Sequence, residues 1–442
     1  METKYQKVRK SLKYSTMDGM FNAMKIGFGE SFFQAFATLF KATDFQLGLL
    51  GSLPIALGSI AQIWSSKLVK IFNSRRKFIL FSVIFEALMY IPIASVFFFG
   101  ELKVFHLIFF VCLYWIFGTI AVPAWSSWMG DLVNEHERGS YFGKRNKIAG
   151  FASFFAMLAG GYILQIFADG LVSRYIGFTI IFILAFASRI FSYSYLSKQY
   201  EPEYSLFPEK YFSFIDFIRL ARFTNYGKFV LYLSSMNFAV YIAAPFFTAY
   251  MLYELNLSYM EFTIITAASL IVKFIAMPIW GRASDRFGTK KVLSLASFLM
   301  PLTPLLWIFS SNFWYLIAIQ AYSGFVWAGF EISSFSFIFD NTTPQKRTRC
   351  IAYYNVLNGI AVFLGAISGA FVIKYSEIIW SKYYLVFLLS AVLRYGSSLG
   401  FIPHLKEERR VEHISYKNLL LSVLTTMPTM GIIHHLIPIR KR

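Results

Sequence analysis

Apolar stretches about as long as a bilayer is thick recur along nearly the whole chain, and no other feature restricts its fold so strongly. Each can cross about 30 Å of hydrocarbon as a helix, the conformation that satisfies every backbone polar group within the segment itself. The spans run roughly over 17–40, 45–65, 78–99, 104–128, 148–167, 175–196, 229–253, 262–279, 292–310, 313–338, 351–373 and 383–401. With 442 residues that are 57% hydrophobic and 15% charged, the chain is predicted to be an all-α, twelve-span membrane protein rather than a soluble enzyme. The first span follows a cationic start without a cleavage site, so it is expected to remain as a helix.

A net charge of +19 would suit a nucleic-acid binder, but the cations sit in short connectors between apolar spans. The outer connectors hold Lys41, Lys103, Arg174, Lys374 and Lys382, and the spans hold Lys25, Arg189, Lys273 and Arg394. The rest of the 42 Lys and Arg fall on the other side, with both tails. That bias predicts a multi-pass protein of the cytoplasmic (inner) membrane with both termini in the cytoplasm, and no nucleic-acid partner. Cys112 and Cys350 offer neither a metal-ligand spacing nor a disulfide framework, and no GxxxxGK[ST] run is present. No cofactor, metal or catalytic residue is therefore expected.

The organisation reads as an N-terminal tail (1–16), a six-span bundle (17–196), a linker (197–228), a second bundle (229–402) and a tail (403–442). Polarity rises in the linker at Glu201-Pro202-Glu203 and Phe207-Pro208-Glu209, before an amphipathic stretch carrying Asp216, Arg219 and Arg222. In the tail, Asn418 to Ile439 is apolar, but Pro428, Gly431, His434, His435 and Pro438 favour a segment lying on the membrane over a thirteenth span. Asp131, Arg138, Asn146 and Gly150 recur as Asp340, Arg347, Asn355 and Gly359, every pair at the same offset. The two bundles thus read as duplicates, with these residues in the fourth-to-fifth and tenth-to-eleventh connections.

A basic connector from Trp280 to Lys291 separates two long apolar runs. Gly281 and Gly288 are expected to permit close packing and a sharp turn, and Asp285 to suit the positive N-terminal end of a helix. These residues resemble the signature loop of the major facilitator superfamily, GxxxDRxGxKK. The text from Pro123 to Asp131 and from Arg138 to Asn146 is similar to bacterial members, and the resemblance covers about 17–401. It implies two pseudo-symmetric six-helix bundles that rock about a central site to move a small solute, in a chain expected to act as a monomer. The loop's acid in this family is thought to bridge neighbouring helix ends and hold the cytoplasmic side closed, a role implied here for Asp285 and Arg286. The first-half counterpart, 64–77, keeps the cations but has no acid and no glycine, so that latch is expected to be weakened or supplied by something else. No proline accompanies the glycines of 150–161, which counts against a typical multidrug antiporter.

Charges within spans are costly and mark cavities or partners. Seven stand out: Lys25, Glu30, Glu86, Arg189, Lys273, Glu331 and Arg394. Glu30, among Gly27, Gly29, Ser31 and Gln34, is the strongest candidate for proton uptake and release; the competing reading is a structural pair with Lys25 or another cation. Glu331, near Trp327, is a second candidate, and Lys273 either meets an anionic substrate or neutralises Glu331. Glu86, Arg189 and Arg394 are expected to be structural. Trp115, Trp125, Trp128 and Trp327 read first as interfacial belts, and Gly160, Gly161, Gly365 and Gly369 as helix-packing positions. Asp131 with Arg138, and Asp340 with Arg347, are candidate gating pairs, with simple helix capping as the alternative. The function expected is secondary active transport by alternating access, with protons as candidate co-substrate. The rivals are an uncoupled facilitator, then a drug or metabolite exporter or a membrane-embedded lipid-modifying enzyme.

Overall fold

The structure, a computed structural model, describes residues 4–134, 138–202, 213–342, 344–375, 381–409, 411–412 and 414–425. The expectations for 203–212, for the tail beyond 425 and for the side chains of Arg138 and Arg347 lie outside the described residues. Helix α1 spans Lys4–Phe28 and, after a break, Phe33–Leu39. It is followed by α2 (Asp44–Phe72), α3 (Arg75–Phe98), α4 (Gly100–Leu132), α5 (Arg138–Ile166) and α6 (Leu171–Ser197). A linker helix, Phe214–Ala221, leads to α7 (Asn225–Glu254) and α8 (Tyr259–Phe287). Then come α9 (Thr289–Leu299, resuming at Leu302–Leu306), α10 (Phe313–Asp340), α11 (Pro344–Tyr375) and α12 (Lys382–Phe401). A tail helix, Tyr416–Thr425, docks on α8 and α9.

Among the described residues, 9 helices are long and apolar enough to cross a membrane on their own. The other three of the twelve are α1, which is interrupted and charged, α9, broken at Pro301, and α10, which mixes Gln320, Glu331 and serines into its apolar run. Polar residues at the turns set where helices start. Thr43 with Gln46 and Ser258 with Glu261 form capping boxes on α2 and α8, and Ser74, Asn312 and Ser381 cap α3, α10 and α12.

The basic connector differs from its expected form. Helix α8 continues through Trp280 to Phe287, and the reversal falls on Gly288 alone, whose φ of +97° suits a residue without a Cβ. Asp285 therefore lies in the last turn of α8, at the negative end of that helix and not at a positive one. Among the described residues nothing lies within 4 Å of where a Cβ on Gly281 would sit, so no close approach explains it.

The two halves have one packing scheme. In the first, α1 packs on α5 and α6, α4 on α2 and α3, and α3 on α6; in the second, α7 packs on α11 and α12, α10 on α8 and α9, and α9 on α12. The halves meet along α2 with α11 and α5 with α8. The repeated glycines sit on those seams: a Cβ on Gly150 would strike Phe274 of α8, and one on Gly359 would strike Ser59 and Ala56 of α2.

The apolar core is distributed unevenly. At the end bearing the 40–43, 167–170 and 255–258 connectors, the far end, one cluster runs through both halves, joining Phe32, Phe36 and Phe178 to Phe246, Tyr250, Phe262 and Phe387. At the opposite, basic end the clusters are separate, one around Phe78, Trp128 and Met129, the other around Phe229, Trp280 and Phe337. Polar contacts between the halves gather mainly at the far end, with one, from Asn355 of α11 to Gln62 of α2 at 2.9 Å, nearer the basic end. Asp44 of α2 bonds Tyr383 at 2.9 Å and pairs with Lys382, and the Tyr253 hydroxyl donates to the Ala42 carbonyl at 3.1 Å, all at the far end. The halves are closed on each other there and hold separate cores at the basic end.

Candidate functional site

Helix α1 breaks where Gly27-Phe28-Gly29 interrupts its ladder. A Cβ on Gly29 would lie 2.2 Å from the Tyr90 hydroxyl, so only glycine lets α1 approach α3 this closely. The short turn that follows, Glu30–Phe32, places neighbouring residues in different cavities. Glu30 lines one of about 390 Å3 inside the first half, and Ser31 lines one of about 290 Å3 in the second.

The first-half cavity is built on six charges that balance, three acids and three bases. Lys25 Nζ lies 2.8 Å from Glu86 Oε1 and 2.8 Å from Glu30 Oε1. The Arg189 Nε donates to Glu86 Oε2 at 2.8 Å, and its Nη1 donates to Ser192, whose hydroxyl reaches Asp18 at 2.7 Å. Arg145 completes the set 3.5 Å from Asp18, stacked over the Trp125 ring. Tyr114 donates to Glu30 at 2.6 Å and accepts from Tyr90 at 3.2 Å. Burial differs within the cluster: the side chains of Lys25 and Glu86 are 4% and 3% exposed, that of Glu30 21%. Glu30 is thus the acid of this group most open to water.

The expected pairing of Glu30 with Lys25 is present, and it belongs to a larger assembly. Glu86 and Arg189, expected from the sequence to be structural, stand at its centre, since α3 and α6 turn these residues inward. Sequence reasoning missed Asp18, Arg145, Tyr90 and Tyr114; Asp18 lies at the very start of a span, and tyrosines are too numerous to single out. Trp115 and Trp125 line this cavity, and Trp128 is fully buried with its indole donating to the Tyr200 carbonyl, so these are not interfacial belts. Gln34 lies against Gly51 of α2, outside the cluster.

In the second half Lys273 and Glu331 neutralise each other at 3.1 Å, both partly exposed. Trp327 lines the second cavity. The structure does not bring these three into the Glu30 cluster. Arg394, in α12, is buried in the wall of the second cavity; its Nε donates to Ser390 and its Nη1 to the Met300 carbonyl.

At the basic end each half carries a repeated charge network. In the first, Arg75 Nη1 donates to Asp131 at 2.6 Å, while Glu201 accepts from the Ser74 hydroxyl and the Arg75 and Arg76 amides. In the second, Thr289 donates to Asp340 at 2.9 Å, Arg409 pairs with Asp340 at 2.6 Å and with Asp285 at 3.5 Å, and Glu407 accepts from the Lys290 amide. Partial burial works to lower the Arg409 pKa, but the Asp340 carboxylate beside it holds it above its ordinary value. Arg286 pairs with Glu412. An acid from the segment after the sixth helix of each half thus sits at the start of the third, where a helix N-terminus attracts negative charge. Glu201, from beyond α6, is therefore the counterpart of Glu407, and the place that Asp285 takes in the second half holds no acid in the first-half loop.

Comparison with known proteins agrees with this geometry. The family model of the Major Facilitator Superfamily matches residues 19–237 and 229–417. An uncharacterized MFS-type transporter, YfiU of Bacillus subtilis (strain 168), is 31% identical over 158 residues, 35% of this chain and 30% of that protein. The tetracycline resistance protein, class B, of Escherichia coli is 30% identical over 129 residues, 29% of this chain and 31% of that one. These matches span about a third of either relative. Among solved structures, the nucleoside transporter NupG superposes with a TM-score of 0.71 at 13% identity, over 90% of this chain and 100% of that one. The xylose transporter XylE from E. coli, in a partially occluded inward open conformation, gives 0.65 at 11%, over 92% and 99%. The family match reaches across both six-helix halves, and the chain belongs to the major facilitator superfamily.

Proposed function

We propose that this protein carries a small solute across the cytoplasmic membrane by alternating access and couples the movement to protons through Glu30. Its basic end, with both termini, faces the cytoplasm, and the linker 197–228 joins the bundles 17–196 and 229–402 on that side. Closure at the far end and separate cores at the basic end make this an inward-facing arrangement.

The observation that carries the reading is the Lys25 ammonium shared between Glu30 and Glu86. While Glu30 is ionised the cluster is neutral and Lys25 bridges both acids. A proton on Glu30 leaves Lys25 to Glu86 alone, frees the α1 turn from one ion pair, and gives the cluster a net positive charge. Because Glu30 is the more exposed acid, water entering from one side reaches it first. Coupling requires that the two access states open Glu30 to water from opposite sides.

The test is ligand-dependent thermal stabilisation of the purified protein with sugars, nucleosides, amino acids, organic acids and peptides at an acidic and a near-neutral pH. The reading expects a ligand whose affinity changes with pH in the wild type and no longer does so in Glu30→Gln. A pH-independent ligand in the wild type sinks the coupling and leaves an uncoupled facilitator.

A further inference from the structure

Arg189 and Arg394 occupy comparable places in the last helix of each half, but they are compensated differently. Arg189 faces Glu86; the residue in the corresponding place of α9 is Met300, since each lies ten positions beyond a basic residue at the helix start, Arg76 or Lys290. Arg394 meets a backbone carbonyl there instead. Proline explains why that carbonyl has room for a second donor: Pro304 has no N–H to return to Met300, which keeps only a 3.3 Å bond from the Thr303 amide, and Pro301 has none to return to Ser297. Helix α12 takes up both, Arg394 at Met300 and Ser398 at Ser297. These bonds anchor the arginine without neutralising it. Among the described residues no acidic side chain lies within ion-pair distance of Arg394 and none lines its cavity. Arg394 is only 3% exposed, and its Nη2 donates to no protein group among them.

The rest of the wall has the same bias. The buried Trp307 indole N–H has no acceptor among the described residues. Thr248, Ser269, Thr303, Gln320 and Ser323 add hydroxyl and amide donors to the same 290 Å3. A buried, uncompensated cation surrounded by unused donors stabilises a negatively charged oxygen group and rejects a cation.

We propose that the second-half cavity is a carboxylate-binding subsite, with Arg394 and Trp307 as its donors, and that the solute carried is a small organic acid. This rests on the transport reading above and names its substrate class. It also gives the α1 turn a purpose: Glu30 and Ser31, adjacent in the chain, touch the proton site and the anion site respectively, so an arriving anion and an arriving proton act on one turn of backbone.

The experiment is calorimetric titration of the purified full chain in detergent with benzoate and succinate, against benzamide, succinamide and benzylamine. Carboxylates are expected to bind about 10- to 100-fold tighter than the matched amides. The preference is expected to vanish in Arg394→Gln and persist in Arg394→Lys. Equal affinity for amide and carboxylate, a preference surviving Arg394→Gln, or no binding by any member overturns the subsite. Should Arg394→Gln fail to fold, Trp307→Phe and Gln320→Leu leave the bonds between α9 and α12 intact. Both should weaken carboxylate binding several-fold, and unchanged affinity in both overturns the proposal. Uptake of the same acids into proteoliposomes is read separately. Binding without uptake overturns the transport reading and keeps the subsite; uptake without a carboxylate preference does the reverse.

Discussion

Asp44, at the start of α2, pairs with Lys382, at the start of α12, and so ties the first half to the second at the far end. The contact joins helix ends far apart in sequence, and parting the halves on that side has to break it. Lys382→Gln removes the ion pair and leaves Asp44 in place at its own helix start. A partly exposed pair contributes about 0 to 1 kcal/mol, so the open population should rise by up to about fivefold. Spin labels at Lys41 and Ser311 report this as a longer-distance component; a distribution identical to the wild type assigns closure to the aromatic seam and the Tyr253 and Tyr383 hydrogen bonds.

Glu86 holds two cations in the interior. Glu86→Gln leaves Lys25 and Arg189 competing for weaker partners and is expected to destabilise the protein by about 3 to 5 kcal/mol. Adding Arg189→Met should recover part of that loss, because the orphaned charge disappears with it. Thermal unfolding of the single and double variants in detergent checks the pair, and strictly additive losses would show that the two side chains act independently.

Glu30→Gln should behave differently. Lys25 keeps Glu86 as a partner, and the substituted side chain's amide oxygen still accepts from Tyr114, so stability is expected to fall by about 1 kcal/mol or less. What should disappear is the dependence of ligand affinity on pH, compared by titration at an acidic and a near-neutral pH. An intact pH dependence would move the coupling to another group, with Glu331 the next to replace.

Glu201 and Glu407 are the paired acids at the helix starts of α3 and α9. Glu201→Ala and Glu407→Ala each remove a cap, with an expected cost of about 0.5 to 2 kcal/mol. Since the two sites lie in different halves without shared partners, the double variant should show the sum. Protease susceptibility of the basic-end connectors gives the readout, and a cost in only one half would show that the duplication has kept the contact without its energetics.

The architecture was legible because hydrocarbon thickness and backbone hydrogen bonding leave a long apolar segment one option, and because a repeated residue set betrays the duplication. Depth was legible too: Glu30, Lys25 and Glu86 stood out as charges in spans. Rotation was not. Whether Glu86 and Arg189 face lipid, a neighbour or a cavity depends on the azimuth of α3 and α6, and helices this uniformly apolar carry little periodic signal to fix it. Asp285 was assigned to a helix start because its glycines suggested a loop, whereas α8 continues to Phe287 and turns on one residue. Glu201 escaped notice because the partner of a connector can come from more than a hundred residues away.

The shared apolar seam at the far end also sets how the protein responds to temperature. Phe178 meets Tyr259 at 5.5 Å and Phe32 meets Phe262 at 6.5 Å across the two halves, and opening on that side hands these rings to water. Wetting apolar surface raises heat capacity, and its unfavourable free energy shrinks on cooling. The balance between the two access states is therefore curved in temperature: cold weakens the adhesion that keeps the far side shut.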